Sequence, residues 1–215
     1  MTRIIAFCLI LLTVSCAKDR DQLEAAFNRY DRLWDKTEHT IYHDTVATQK
    51  LLAADVKPDD PEIVPKLLVK CQILAYQGNS GQCDSIARLA IEWAKKNNDE
   101  VGNYFANTFR CTANYYSKSD NEAQKVYYEF YEKTRDLPRF HEHVVNNLIY
   151  SLLGLKHDQQ YAAYLDEQKS LAKKLKDSLV WVNYHSNRAF WYYEKYGNDS
   201  LAAVIANTDR ALDFC

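Results

Sequence analysis

A ladder of small residues recurs at one fixed interval along this chain. Its four members are separated by 38 residues each: Ala75, Ala113, Ser151 and Ala189. A constant period of this length indicates repeated supersecondary units, because each unit can bury its apolar face only against its neighbour. The positions seven residues before the ladder are all apolar: Leu68, Ala106, Val144 and Val182. We infer that the ladder residues are small because the two helices of a unit approach closely there.

Helical periodicity and turn-forming residues divide the chain from residue 61 onward into four pairs of helices. First helices are predicted over 61–77, 99–117, 138–156 and 177–196, and second helices over 81–97, 120–135, 158–175 and 199–214. Turns such as Gly78-Asn79-Ser80 combine a flexible residue with helix N-cap residues. Because these connections are short, neighbouring helices must run antiparallel. The predicted fold is therefore all-α, with antiparallel helical hairpins stacked as an α-solenoid with a period of about 38 residues.

The segment before the array is shorter and less regular. Leu23, Phe27, Tyr30 and Leu33 recur at helical spacing and predict a helix over residues 17–38, followed by a short helix over 40–54. Asp60-Pro61 then forms a cap and first turn for the next helix. We therefore expect three parts: a signal segment over 1–16, a tether with N-terminal helices over 17–60, and a helical repeat domain of four hairpins over 61–215.

The first sixteen residues read as an export signal. Arg3 is followed by an unbroken apolar run from Ile4 to Leu12, and the segment ends at Ser15-Cys16. The run is too short for a permanent membrane-spanning helix. The segment resembles a bacterial lipoprotein signal, although Thr13 stands where that family has Leu, Val or Ile. Cleavage of an ordinary secretory signal nearby is the alternative.

The lipoprotein resemblance implies a location. Cys16 would be lipidated and would become the new N-terminus, so that the chain is attached to a membrane through this lipid. The polar stretch over residues 17–21 resembles the charged export tags of surface lipoproteins in the Bacteroidetes group. We therefore expect an exported protein of the cell envelope, on the inner or outer membrane and facing the periplasm or the surface.

The helical hairpins resemble the tetratricopeptide repeat. In that family a small first-helix residue is followed by an aromatic residue, as in Ala189 with Tyr192, and Ala-x3-apolar-x2-Ala marks the second helix, as in Ala87, Ile91 and Ala94. The resemblance covers residues 61–214. It is incomplete, because the family's period is about 34 residues and glycines replace two of the aromatic residues. A generic array of α-α hairpins is the alternative.

The resemblance also implies a binding groove lined by the first helices. Groove positions flank the ladder, and those carried onto this chain are Gln72, Tyr76, Asn107, Arg110, Asn114, Asn183, Ser186 and Phe190, with Leu148 and Leu152 in the third hairpin. Amide and guanidinium groups there could hold a peptide backbone or terminal carboxylate, and aromatic rings could anchor side chains. The expected partner is a protein or peptide. The alternative is a solvated helix surface.

Catalytic, metal and nucleic-acid functions find little support in the sequence. The net charge is -2 without a basic block, which argues against nucleic acid as the partner. His141 and His143 lie two residues apart, so they point in opposite directions on a helix and cannot share one metal ion. Phosphate-binding loops and nucleophile motifs are missing, so we expect a protein that is not an enzyme and needs no cofactor.

The cysteines have no CxxC spacing. Cys71 and Cys111 fall on predicted buried faces, where cysteine behaves as a small apolar residue. In an exported protein, Cys71 and Cys83 could instead meet across a hairpin as a disulfide.

The last predicted hairpin leaves an apolar flank without a polar cap, which solenoids need at their ends. We expect either self-association through this hairpin or a chain that is the front part of a longer protein. The predicted function is a non-catalytic scaffold that binds a protein or peptide. The alternative is an extracytoplasmic sensor or ligand-binding segment, because the layout resembles the exported tetratricopeptide regions of Bacteroidetes membrane histidine kinases, here split or truncated.

Overall fold

The described part of the chain is helical throughout. A computed structural model describes the backbone of residues 2–113, 121–152 and 157–214, and the side chains of residues 19–113, 122–152 and 157–214. Within these ranges the regular elements are helices and no strand occurs, which confirms the all-α prediction. No helix in the described ranges combines the length and the apolar character that crossing a membrane requires.

The helices are numbered in chain order. They are α1 (Thr2–His43), α2 (Thr45–Ala53), α3 (Ile63–Tyr76), α4 (Ser80–Lys96), α5 (Glu100–Ala113), α6 (Asn121–Lys133), α7 (Pro138–Leu152), α8 (Asp158–Leu175), α9 (Ser178–Tyr196) and α10 (Leu201–Leu212), with a 3₁₀ turn over Gly197–Ser200 between the last two.

Where the residues on both sides of a helix end are described, the ends of α3 to α10 lie close to the predicted ones, and local caps mark several of them. The Asn79 side chain accepts a hydrogen bond from the backbone N–H of Gln82 at the start of α4. At the start of α9, Asp177 accepts from the N–H of Leu179. Gly78, between α3 and α4, has a φ of 71°, a left-handed conformation that glycine adopts without steric cost. These signals are readable from sequence because each involves residues three or fewer positions apart.

The N-terminal helix is longer than predicted. The predicted break near residue 39 is wrong, since α1 continues to His43 and α2 starts after Asp44. Thr37 and Thr40 do not interrupt α1, because each hydroxyl donates to the carbonyl four residues earlier in the same helix. Asp44 is the N-cap of α2, and its carboxylate accepts from the N–H of Ala47 at 2.8 Å.

The chain divides into two compact units, unit 1 (Met1–Ala113) and unit 2 (Asn114–Cys215). In unit 1, α3 packs on α4 and α5, and α4 packs on α5. Helix α1 contacts both α3 and α5, and α2 contacts α1 and α3. The N-terminal helices therefore belong to the same compact unit as the first hairpin. This differs from the predicted division, which set residues 17–60 apart from one domain over 61–215.

Aromatic packing explains why α1 joins unit 1. Phe27 and Tyr30 are buried, and their rings lie 6.0 and 5.5 Å from the ring of Phe105 on α5. One turn further along α1, Trp34 stacks on Phe109 with a centroid distance of 4.8 Å. Burial of each such ring contributes about 2 kcal/mol. The apolar stripe predicted on this helix is thus its attachment to α5.

In unit 2, each helix from α6 to α10 packs on the next, and α7 also packs on α9. Its core includes Phe130, Phe140 and Ile149, all at most 1% exposed. The ladder residues Ser151 and Ala189 in this unit are buried. The Ser151 carbonyl also accepts a hydrogen bond from the side-chain amide of Gln124 on α6. In unit 1 the ladder residues Ala75 and Ala113 are only half-buried.

Candidate functional site

The first-helix face of unit 1 is covered by α1. Gln72, a predicted groove residue, is buried, and its side-chain amide donates to the backbone carbonyl of Trp34 at 3.1 Å. Tyr76, another groove residue, is partly exposed and meets the ring of Tyr42 edge-on at 4.9 Å. Both side chains therefore contact α1. The prediction that Gln72 faces a partner is wrong, because a helix of the same chain takes that place.

The groove residues predicted on α5 are also turned toward their own unit. Asn107 is buried and donates to the carbonyl of Asn103, one turn earlier. The Arg110 side chain is 12% exposed, and its Nε lies 3.7 Å from a carboxylate oxygen of Asp84 on α4. These placements contradict a partner-facing role for Asn107 and leave little of Arg110 accessible. Asn114 lies outside the described residues.

A polar contact also attaches α1 to the start of α5. The Tyr30 hydroxyl donates to the Asp99 carboxylate, whose second oxygen accepts from the N–H of Gly102 at 2.8 Å. Burial, and then the hydrogen bond to Asp99, raise the pKa of Tyr30 above its usual range, so this phenol stays a donor. A β-carbon on Gly102 would lie 2.5 Å from the Asp99 carboxylate and 2.8 Å from the Tyr30 oxygen. The contact between Tyr30 and Asp99 therefore needs a residue without a β-carbon at position 102.

The interface of α1 with α3 and α5 is closely filled. A cavity of about 10 Å³ remains there, lined mainly by Trp34, Leu68, Gln72 and Phe109. That volume accommodates about one water molecule. It is too small for an organic ligand, so this face of unit 1 binds the helix that already covers it.

The corresponding first helix of the last hairpin presents an open face. The α9 stripe consists of Leu179, Asn183, Ser186, Phe190 and Tyr193, whose alternating spacing of four and three residues places them on one side of the helix. Leu179 and Tyr193 are more than half exposed, and Phe190 is 48% exposed. The stripe includes three of the predicted groove residues. On α7, by contrast, the groove positions Leu148 and Leu152 are buried in the core.

The aromatic run at the end of α9 divides between two environments, as a helix requires. Phe190 and Tyr193 are exposed on the stripe, whereas Trp191 and Tyr192 are half-buried. The Arg188 guanidinium lies 5.5 Å from the centre of the Tyr192 ring and donates to its hydroxyl. This contact fixes the rings beside the stripe and leaves Phe190 and Tyr193 as the accessible pair.

A buried polar network supports the stripe from beneath. Gln168 on α8 donates to Glu142 and to Asn146 on α7, both at 3.1 Å. Asn187 on α9 donates to Asn146 at 2.8 Å and to Gln168 at 3.0 Å. Three helices are therefore joined by hydrogen bonds between side-chain amides, and such bonds favour one arrangement of the helices.

The network comes close to the stripe at Asn183. Burial raises the pKa of Glu142, and the neighbouring amides of Gln168 and Asn183 oppose that shift. Asn183 and Ser186 are half-buried, whereas Leu179, Phe190 and Tyr193 are exposed. The stripe therefore combines exposed apolar side chains with polar groups at its middle, which is the composition of a docking surface.

A second cluster has the composition of a catalytic triad. His141 lies 3.0 Å from the hydroxyl of Thr134 and 3.0 Å from the carboxylate of Glu167, which also accepts from the hydroxyl of Tyr131 at 2.7 Å. However, Thr134 is completely buried and donates to the carbonyl of Phe130 at 2.7 Å. A nucleophile must reach its substrate, and this hydroxyl does not. The cluster joins α6, α7 and α8 instead.

The two histidines around Glu142 have separate partners. His143 approaches the side-chain amide of Asn147 at 3.2 Å, on the other side of α7 from His141. Burial lowers the pKa of His143 to about 4, so that it is neutral near pH 7. Across the side chains that the structure describes, no group of three or more His, Cys, Asp or Glu residues is placed to hold a metal ion.

The last helix shows the predicted apolar flank. Leu201, Ile205 and Leu212 on α10 are each more than half exposed. The end of α10 is nevertheless attached to α9, because Phe214 stacks on Trp181 with a centroid distance of 5.8 Å and on His185 at 6.0 Å. The flank is therefore an exposed surface on an anchored helix.

Comparison with protein-family models, with curated proteins and with solved structures finds no match for this chain. The resemblances to tetratricopeptide repeats and to lipoproteins accordingly remain predictions from the residues. Sequence reasoning missed the polar network and the triad-like cluster. The available signal was the presence of polar residues at core positions of the helical pattern, notably Gln168 and Asn187.

Proposed function

We propose that this protein is a non-catalytic helical-repeat scaffold that binds a protein partner at the bacterial cell envelope. The observation that carries the proposal is the docking of α1 on the first-helix face of unit 1. A face built from α3 and α5 accommodates an α-helix through stacked aromatic rings and a side-chain amide that binds its backbone. First helices of this chain therefore provide a surface complementary to a helix.

The chemistry of α1 suggests what kind of partner such a face binds. Phe27, Tyr30 and Trp34 follow each other at intervals of three and four residues and contact the same surface. This is the pattern by which an amphipathic helix enters an apolar groove. The α9 stripe has similar elements, namely exposed aromatic and aliphatic side chains together with the amide of Asn183. We propose that the partner presents an amphipathic helix to this stripe.

The proposed location follows from the N-terminal residues. The expected lipid on Cys16 would precede the docked part of α1, in which Phe27 is the first buried residue among the described side chains. The exposed, charged residues Asp19, Asp21 and Glu24 lie between them. A membrane anchor followed by a polar segment would leave the two compact units in the aqueous phase. The stripe would then be accessible to proteins of the envelope.

Site-specific photo-crosslinking tests the binding proposal. A benzophenone amino acid replaces Phe190 in one variant and Leu89 in a control, since Leu89 is a similarly exposed apolar residue on α4, outside the stripe. After irradiation of whole cells, we expect a defined protein adduct at Phe190 and none at Leu89. The crosslinked peptide of the partner should come from an amphipathic helix.

A second variant separates binding from folding. For this variant the benzophenone amino acid replaces Ser186, and Phe190→Ser is combined with Tyr193→Ser. The double substitution should abolish the crosslink from position 186. It should not lower the urea midpoint, because both rings are about half exposed. Equal adducts at Phe190 and Leu89, or no protein adduct at either, would refute the proposed binding stripe.

A further inference from the structure

Two cysteines of unit 1 face each other across the first hairpin. Cys71 lies on α3 and Cys83 lies at the start of α4, on opposite sides of a short turn. The sulfur of Cys83 is 3.4 Å from the carbonyl oxygen of Cys71, and the sulfur of Cys71 is 3.9 Å from the carbonyl oxygen of Cys83. Because each sulfur reaches the backbone of the other residue, the two side chains point toward each other, as a disulfide requires.

The surroundings of the two sulfurs favour a pair over isolated thiols. Both residues are completely buried, and each sulfur lies beside the backbone carbonyl of the other residue. The neighbouring Cys83 and burial raise the pKa of the Cys71 thiol, so Cys71 stays a neutral thiol in the folded hairpin. Two adjacent thiols, one that forms a mixed disulfide and one that displaces it, are the two parts of a thiol–disulfide exchange.

We propose that Cys71 and Cys83 form a disulfide that joins α3 to α4 in the exported protein. This inference concerns the stability of unit 1 and does not depend on the proposed partner. The oxidising conditions outside the cytoplasm allow such bonds to persist. A further cysteine of the unit, Cys111, is half-buried on α5. It is the competing partner, since Cys83 also lies 3.9 Å from the carbonyl of Phe109 on that helix.

The oxidant is a small or protein disulfide, such as oxidised glutathione. The thiolate of one of the two cysteines attacks one sulfur of the oxidant, the S–S bond of the oxidant breaks, and one glutathione thiol leaves. The thiolate of the other cysteine then attacks the protein sulfur of this mixed disulfide, and the second glutathione leaves as a thiol. Two electrons pass from the two cysteines to the oxidant, and their two protons end on the two glutathione thiols.

Burial determines when this reaction takes place. With both sulfurs inaccessible in the folded hairpin, an oxidant reaches them before α4 packs against α3 or during a local opening. Once formed, the bond is shielded from reductants in the same way. The bond closes a short loop and so restricts the unfolded chain, which raises the stability of the hairpin in the chain-entropy description.

The test uses the wild-type chain, so that no substitution can disturb folding. The purified protein is unfolded and reduced in urea and then refolded in a mixture of reduced and oxidised glutathione. Free thiols are alkylated, and the digest is examined by mass spectrometry without reduction. We expect a peptide pair linked through Cys71 and Cys83, with Cys111 alkylated. Cys111→Ala is the matched control and should leave the linked pair unchanged.

Two further measurements use the same sample. The linked form should have a higher urea midpoint than the reduced form, and dithiothreitol should reduce it more slowly in buffer than in urea. Free thiols at both positions after refolding would overturn the proposal. So would a link from Cys83 to Cys111, or a linked form with the lower urea midpoint. Because the assay needs neither a partner nor export, its failure would not affect the binding stripe.

Discussion

Substitution of Gly102 by alanine probes how α1 is attached to unit 1. The added β-carbon would lie 2.5 Å from one Asp99 carboxylate oxygen, 2.7 Å from its carboxyl carbon and 2.8 Å from the Tyr30 hydroxyl oxygen. Contacts below 3.0 Å require something to move, so the Asp99 carboxylate must leave its place. That carboxylate accepts from both the Gly102 N–H and Tyr30.

The expected cost follows from the bonds that the carboxylate makes. Loss of the cap on the Gly102 N–H costs about 1 kcal/mol. Loss of the buried hydrogen bond from Tyr30 to a charged acceptor costs about 2 kcal/mol. Alanine regains about 1 kcal/mol through its higher helix propensity. We therefore expect Gly102→Ala to lower the free energy of unfolding by about 2 kcal/mol.

Urea denaturation followed by circular dichroism measures this difference. Gly81→Ala is the matched control, because a β-carbon there meets nothing within 4 Å and also lies in the first turn of a helix. The control should be neutral or slightly stabilising. In a Tyr30→Phe background, the cost of Gly102→Ala should fall by at least about 1 kcal/mol, since one crowded oxygen and its bond are gone. Equal effects of Gly102→Ala and Gly81→Ala would refute the reasoning.

Three further predictions concern protonation and location. Burial raises the folded-state pKa of Glu142 above its unfolded value of 4.5, so the contribution of Glu142 to stability falls as pH rises above about 4.5. The urea midpoint of Glu142→Gln should therefore rise relative to that of wild type from about pH 4 to pH 8. A constant difference between the two midpoints across this range would contradict the prediction. His143 has a pKa of about 4 in the folded state and 6.5 in the unfolded state, so the free energy of unfolding of wild type should fall by up to about 3 kcal/mol between about pH 7 and pH 4. In His143→Gln this fall should be smaller. An unchanged fall would show that other groups cause it. Cys16→Ala should move the protein from the membrane fraction to the soluble fraction, and identical fractionation of mutant and wild type would exclude the lipid anchor.

Much of the helical layout could be predicted because its determinants are local. Caps such as Asn79 and Asp177 act within three residues, and the helices they start lie close to the predicted bounds. The break after α1 was misplaced for a related reason. Thr37 and Thr40 are weak helix formers by sequence, but their hydroxyls bond within the helix, and the effective cap is Asp44.

The candidate site was only partly predictable. Asn183, Ser186 and Phe190 share one side of α9, because helical spacing alone places them together. Phe190 is exposed there, and Asn183 and Ser186 are half-buried. Gln72 and Asn107 occupy equivalent helix positions and are buried. The same spacing therefore yields an open face in one unit and a covered face in the other, and nothing local distinguishes the two.

The sequence by itself determined that this chain forms helices and where most of them start and end, because caps, turns and periodicity act over a few residues. Only the tertiary structure decided that α1 covers the face of α3 and α5 and that the α9 stripe is open. It also decided that Cys71 meets Cys83 and that Gln168 and Asn187 form a buried network. These features depend on which helix faces meet, and that is set by packing between residues far apart in the chain.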